Sequence, residues 1–387
     1  MQTDHQLIFQ NAGDMHPLID NSIDLIATSP PYPMIEMWDS QFVKQDQTIG
    51  RAMEKGHGMA AFEGMHRLLD PVWHEAYRVL KPGGFICINI GDATRTLDSN
   101  FILYPNHSRI LSCLVESGFT PLPLILWRKQ TNAPNKFMGS GMLPAGAYIT
   151  LEHEYILIAR KGPKREFSRP ERKKARRESA LFWEERNTWF SDIWMDLKGA
   201  RQCLGDETVR KRSASFPFEL PYRLISMYSV KEDTVLDPFM GLGTTALAAM
   251  AAGRSSVGFE LEKEFLPAIQ ARFDSLIPFA GGLVQERLER HRAFMDVRVR
   301  EKGVPKHKNL YYGFPVVTSQ ERELFINRPL ALSISDETLS RVTYEPVRVV
   351  QDRQETGLVQ KPAEKPEKRP GPSKSPVSGA TQLNLFD

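Results

Sequence analysis

Cysteine is scarce in this sequence. Cys87, Cys113 and Cys203 are the only three among 387 residues, far apart and never in a CxxC pair or a Cys/His cluster. That spacing argues against a zinc site and against a disulfide framework, and fits a reducing cytoplasm, bacterial or phage-host. No metal is expected. Long apolar stretches are missing too. No uncharged run of about 18 residues could span a bilayer, and residues 1–13 are polar, without the apolar core of a signal peptide. No membrane partner is expected. The charges nearly cancel: 50 Lys and Arg against 47 Asp and Glu leave a net +3. A nucleic-acid partner must therefore be argued from where the charges lie, not from their sum. No glycine loop carries the lysine of a phosphate-binding P-loop.

What is present is an alternation of apolar runs with turn residues, in a chain whose 41% hydrophobic content can fill a sizeable core. Residues 22–27 read as a buried strand stopped by Pro30 and Pro31. Apolar positions at helical spacing from Phe62 to Leu80 predict a helix ended by Lys81-Pro82-Gly83-Gly84. Residues 85–90, 122–127 and 155–159 follow as strands, then 234–236, a small-residue helix over 244–252, and a strand over 256–259. Strands alternating with helices predict a largely parallel α/β sheet. Residues 283–302 look helical and highly charged, residues 310–350 carry short β-prone runs, and residues 351–380 are rich in Pro, Lys, Glu and Ser and should be disordered.

The first chemical signal is Asp237-Pro238-Phe239-Met240-Gly241-Leu242-Gly243-Thr244-Thr245. A strand, a glycine turn and a helix start let backbone amides approach a ligand closely. The third glycine of a dinucleotide fingerprint is missing, and Asp237 would sit badly against a pyrophosphate. An acid there suits a cationic ligand such as the amino group of a methionine moiety. Glu260, at the end of the next strand, can accept hydrogen bonds from ribose hydroxyls.

The second signal is Thr28-Ser29-Pro30-Pro31-Tyr32 at a strand end. Together the two motifs resemble the amino-methyltransferases of DNA, which pair a (Asp/Asn/Ser)-Pro-Pro-(Tyr/Phe) turn with a DPFxGxGTT loop. The order, catalytic motif first, resembles the β class, in which a basic recognition segment lies between the two. The resemblance covers roughly residues 5–275. It implies a Rossmann-like S-adenosylmethionine-dependent methyltransferase fold, with a mostly parallel seven-stranded sheet in circularly permuted motif order. It also implies a recognition insertion and, here, a C-terminal extension. The divisions expected are 1–160 (catalytic half), 161–215 (insertion), 216–275 (cofactor half), 276–350 (extension without assigned role) and 351–387 (tail).

By the same resemblance the cofactor is S-adenosyl-L-methionine, held by Asp14, Thr28, Phe218, Asp237, Pro238, Phe239, Gly241, Gly243, Thr244 and Glu260. Asp14 is expected at the adenine side and Phe218, in Phe216-Pro217-Phe218-Glu219, at the methionine end. Ser29, Pro30, Pro31 and Tyr32 are the expected catalytic residues. Ser rather than Asp at position 29 resembles the members that methylate N4 of cytosine; N6 of adenine is the alternative. An exocyclic amine is a poor nucleophile because its lone pair is delocalised into the ring. Ser29 can hydrogen-bond the amine or the ring nitrogen, the Pro30 carbonyl can accept an amine proton, and Tyr32 offers a stacking face. A base in a duplex must flip out to reach them. C5 methylation would need a thiolate; none of the three cysteines has a Pro-Cys context, and all three read as structural.

Between the motifs runs a basic stretch, residues 160–177. Lys164, Arg165, Arg169, Arg172, Lys173, Lys174, Arg176 and Arg177 are candidate contacts to double-stranded DNA, or a solvated helix face. Aromatics follow it (Phe182, Trp183, Trp189, Phe190, Trp194) and favour nucleic acid. Trp38 and Asp39 either line the base pocket or simply pack. The chain ends in Gln382-Leu383-Asn384-Leu385-Phe386, similar to the QLxLF peptide that docks on bacterial sliding clamps. A nucleic-acid-binding protein with an inactive cofactor pocket is the competing reading from another class; the intact motifs speak against it.

Overall fold

The computed structural model describes residues 1–129, 138–197 and 216–347. The tail peptide at 382–386, and with it Cys203, lies outside them. Ten strands form the main sheet: β1 Gln2–Phe9, β2 Ile23–Thr28, β3 Leu80–Ile90, β4 Phe119–Arg128, β5 His153–Lys161, β6 Ile193–Trp194, β7 Thr234–Asp237, β8 Ser255–Glu260, β9 Asn327–Ile334 and β10 Leu339–Pro346. They lie in the order β6-β4-β5-β3-β2-β7-β8-β1-β10-β9. Strands β3, β2, β7, β8 and β1 are mutually parallel, and β5 runs antiparallel between β3 and β4. With β4 and β5 these make the expected seven-stranded, mostly parallel sheet. Strand β6 extends it at one edge, and the β9–β10 hairpin extends it at the other by pairing with β1.

Strand β2 is buried along its whole length, as a strand covered on both faces must be. One face of the sheet packs against the helix Gly58–Val79, through Phe62, Met65, Leu69 and Trp73, and against Asn106–Glu116 through Ile110 and Leu114. The other packs against Glu219–Tyr228, Thr244–Ala252 and Leu266–Asp274. The helix over 244–252 is buried all round, which its small side chains permit. The first of these helices ends at Val79, as its periodicity predicts. The Lys81-Pro82-Gly83-Gly84 stretch is not a loop, however. It begins β3, where the register against β2 shifts and Gly83 takes φ +82°.

The extension now has a structural role. Helix Leu276–Lys302 starts seven residues before the charged stretch suggested, because Leu276 and Ala280 continue the buried row Val284, Leu288 and Met295. The β9–β10 hairpin covers what would be an open sheet edge at β1. Among the described residues, no helix is long and apolar enough to cross a membrane. The aromatics expected to favour nucleic acid are largely core: Phe182, Trp189 and Trp194 are buried, and only Trp183 and Phe190 are exposed. Five aromatics after a basic segment read as a binding surface; Trp189 and Trp194 instead pack in the core with β4 and the helix over 219–228, and Phe182 stacks on His291.

The basic segment is built into the amino-terminal side of the sheet. Arg165 grips Asp233 through both guanidinium nitrogens (2.7 and 2.9 Å) and reaches Asp24 at 3.2 Å. Arg172 also pairs with Asp233, and Arg177 pairs with Glu323 at 2.8 Å. Burial works to raise the pKa of Asp233, but hydrogen bonding and the charge of Arg165, with the Val230 amide and Arg172, hold it below the usual carboxylate value. Its stabilisation is therefore intact above the ordinary carboxylate range and is lost as pH falls from there through the lower folded value. Asp233→Ala, which strands two arginines, should cost about 3 kcal/mol at neutral pH. That loss, measured by denaturant unfolding, should shrink as the pH is lowered towards 3.

Candidate active site

The parallel pairing of β2 with β7 sets Leu25 opposite Val235 and Ile26 opposite Leu236. Both strands therefore end on the same edge, and both motifs are the loops that leave there. They are joined directly. Thr28 Oγ1 donates to Asp237 Oδ1 at 2.6 Å, and Thr245 Oγ1 donates to the Ala27 carbonyl at 3.3 Å. Asp237 is 3% exposed, and burial pushes its carboxyl up, opposed by the hydrogen bonds of Thr245, Thr28 and the Phe239 amide.

The glycine loop takes the conformation its sequence requires. Gly241 and Gly243 adopt φ +51° and +75°, in the left-handed region where other residues are strained. Gly243 caps the helix over 244–252. Glu260 Oε2 accepts from the Gly241 amide at 2.8 Å, and Oε1 accepts from the Leu261 and Glu262 amides at 2.8 and 2.9 Å. Burial raises its pKa against these three bonds.

The Ser29-Pro30-Pro31-Tyr32 turn is clamped from behind. Asn106, fully buried, donates both amide hydrogens, to the carbonyls of Pro33 (3.0 Å) and Gly91 (2.9 Å). Its Oδ1 accepts from His66 Nε2 at 3.0 Å. Burial lowers the His66 pKa to about 4, so the ring is neutral at physiological pH. Beside the turn, Tyr32 Oη donates to Glu154 Oε2 at 2.9 Å and accepts from Asn89 Nδ2 at 2.8 Å, while Ser29 Oγ donates to it at 3.2 Å.

One cavity of about 360 Å³ lies between the two loops. Of the expected residues, Ser29, Pro31, Asp237, Pro238, Phe239, Gly241, Thr244 and Glu260 line it. Thr28, Pro30, Tyr32 and Gly243 are not among its lining residues. Two further expected residues also stand outside the lining. Asp14 lies outside the lining: its side chain is 72% exposed and bonds His16. Gln10, Asn11 and Ala12 take that part of the wall. Phe218 stacks on Tyr222 and meets Phe279 edge-on, and it is Phe216 that faces the cavity. Parallel pairing aligns Phe9 with Glu260, so the residues just after Phe9 come to the cavity, a fact of register invisible in the sequence. Trp38 lines the cavity, whereas Asp39 pairs with Arg95 at 2.7 Å. Asn89, Lys129 and Glu154 were missed; only their position at strand ends on this edge could have signalled them. The basic residues 164–177 are not brought here: Arg165 meets Asp24 and Asp233, at the opposite ends of β2 and β7. Burial pushes the Cys113 thiol up to about 11 and that of Cys87 higher still, so neither supplies a thiolate.

Residues 23–271 match the family model described as DNA methylase, of the N6/N4 type. This chain belongs to the N6/N4 DNA methylase family, the amino-methyltransferases of DNA. It is 48% identical over 330 residues to the Type II methyltransferase M.MthZI of Methanothermobacter thermautotrophicus, covering 85% of this chain and 92% of that one. It is 47% identical over 281 residues to the Type II methyltransferase M.MjaI of Methanocaldococcus jannaschii, covering 70% and 91%. Among solved structures, a candidate DNA modification methylase of Thermus thermophilus, complexed with S-adenosyl-L-methionine, superposes with a TM-score of 0.56. That pair shares 30% identity over 71% of this chain and 96% of the other. The sheet order and the motif order of this methylase both fit that fold.

The wall assignment is open to test by calorimetric titration with S-adenosylmethionine. Asn11→Ala should weaken binding about tenfold, the loss of roughly one hydrogen bond. Asp14→Ala should leave it unchanged.

Proposed function

We propose that this methylase is a Type II enzyme of a restriction-modification system that transfers a methyl group from S-adenosylmethionine to N4 of cytosine at a specific site in duplex DNA. The observation that carries the reading is the convergence of the Ser29-Pro30-Pro31-Tyr32 turn and the Asp237–Gly243 loop on one cavity, tied by the 2.6 Å Thr28–Asp237 bond. The 48% identity to a Type II methyltransferase supports the biological setting.

The donor set suits the cofactor. Glu260 Oε2 keeps one free lone pair for a ribose hydroxyl, Asp237 offers an anion to an α-ammonium group, and the Gly241–Gly243 backbone allows close approach. When bound, S-adenosylmethionine supplies an electrophilic methyl on a sulfonium sulfur. The protein's part is positioning and electrostatics. Ser29 and the Pro30 carbonyl hold the exocyclic amine by its hydrogens, which localises its lone pair towards the methyl group. Pro31 and Trp38 narrow the cavity against water. Ser29 in place of an acid is what favours cytosine N4 over adenine N6.

The decisive experiment incubates the protein with unmethylated DNA and labelled cofactor, digests the product and identifies the nucleoside. N4-methylcytosine is expected. N6-methyladenine would overturn the choice of base, and no methylated base would overturn the reading.

Within the basic segment, Lys164, Arg169, Lys173, Lys174 and Arg176 are exposed and remain candidate phosphate contacts. Arg165, Arg172 and Arg177, being ion-paired within the fold, are weaker candidates. The terminal Gln382, Leu383, Leu385 and Phe386 are proposed to dock on a bacterial sliding clamp. Deleting the last six residues should abolish clamp pull-down and leave methylation intact; an unchanged pull-down would refute the docking.

A further inference from the structure

We infer that Ser29, Tyr32 and Glu154 form a one-way proton relay, in which Ser29 meets the target amine only as a hydrogen-bond acceptor and passes its released proton inward. This deepens the methyl-transfer reading and rests on it.

The direction follows from counting protons. The Glu154 carboxylate, at the start of β5 and 8% exposed, can only accept. It takes Asn89 Nδ2 at 2.7 Å and Tyr32 Oη at 2.9 Å on Oε2, and Lys129 Nζ at 2.7 Å on Oε1. Tyr32 has one hydroxyl proton, and it is given to Glu154. The Asn89 amide nitrogen can only donate, and it does so to Tyr32 Oη at 2.8 Å. Tyr32 therefore has only a lone pair left for Ser29, whose Oγ stands 3.2 Å away. Ser29 must spend its single proton on Tyr32. Towards the cavity that it lines, it then offers lone pairs alone. A ring nitrogen such as cytosine N3, itself an acceptor, gains nothing from such a group; an amine N–H does. Of the two contacts open to Ser29 on sequence grounds, the geometry selects the amine.

The same chain gives the proton a destination. As the amine nitrogen bonds the methyl carbon, the sulfur–carbon bond breaks and sulfur keeps the electron pair. The nitrogen, now positively charged, releases one proton to Ser29 Oγ. The Ser29 proton moves to Tyr32 Oη and the Tyr32 proton to Glu154, which becomes neutral. The net transfer is one proton from amine to carboxylate. Glu154, whose neighbour Lys129 is about half exposed at its side chain, then returns the proton to solvent. Ser29 is the catalytic residue here; Tyr32 and Glu154 act through it.

The test uses the full chain with Tyr32→Phe, Glu154→Gln and the double variant. It follows single-turnover methylation of unmethylated duplex DNA, with cofactor and DNA affinities measured separately. Each single variant should lose about a hundredfold in rate, the scale of positioned proton transfer. Affinities should stay within about twofold, and the double variant should be no slower than the slower single, as expected of groups acting as one unit. Wild-type rates in either single variant, losses that multiply in the double, or cofactor affinity falling in step with rate would each overturn the relay. If Glu154→Gln does not fold, Tyr32→Phe decides alone. A cofactor-free readout separates this inference from the functional reading. Burial and the Glu154 charge hold the Tyr32 phenol well above its usual pKa. Carbon-13 NMR of labelled tyrosine should show Tyr32 ionising at lower pH in Glu154→Gln, and an unchanged titration would refute the chain of bonds. If wild-type protein methylates no DNA, the functional reading fails, while the NMR arm still decides the bonding.

Discussion

Two strands lying side by side in parallel, β2 and β7, are the constraint on which the site depends. Parallel neighbours present their carboxyl ends on one edge. Here that edge brings the Ser29-Pro30-Pro31-Tyr32 turn against the Gly241–Gly243 turn, the two loops proposed to present substrate and cofactor. The Thr28–Asp237 bond fixes the spacing between them at the point where both strands stop. Because β2 and β7 are buried on both faces, neither can slide without exposing apolar surface, and the register that aligns Ile26 with Leu236 is held by the whole core.

Around that pair the polar groups are arranged in sets, although His66 Nδ1 and Asn89 Oδ1 are left unpaired. Asn106 satisfies two loop carbonyls and is itself satisfied by a neutral His66. Glu260 collects three backbone amides. Glu154 collects Tyr32, Asn89 and Lys129. Each set holds one of the site loops in place, and the buried groups Asn106, His66 and Glu154 act with less screening than exposed ones would. Reorganisation is thereby avoided when charge moves during reaction, which is how positioning becomes rate.

The amino-terminal side of the same strands does different work. Asp24 and Asp233 there are neutralised by Arg165 and Arg172, drawn from the segment that charge counting assigns to DNA. A buried carboxylate needs a partner more urgently than an exposed arginine needs a phosphate, and this competition decides where those two side chains go. The C-terminal hairpin completes the picture by pairing with β1, so β1 is not left as an open sheet edge.

Much of this was legible from residue order alone. The two motifs, the strands that carry them, the helix over 244–252 and the parallel sheet follow from local patterning: runs of apolar residues, prolines that stop a strand, and glycines at turns needing positive φ. These are short-range properties, and each residue carries its own signal. What tertiary structure alone decided is which distant groups share a wall. Asn11 rather than Asp14, and Phe216 rather than Phe218, face the cavity, while Asn89, Lys129 and Glu154 gather behind Ser29. Phe182, Trp189 and Trp194 fill the core, and Arg165 and Arg172 serve the fold. The reason is that strand register and long-range ion pairing depend on the pairing of segments up to hundreds of residues apart, and no local pattern encodes that pairing.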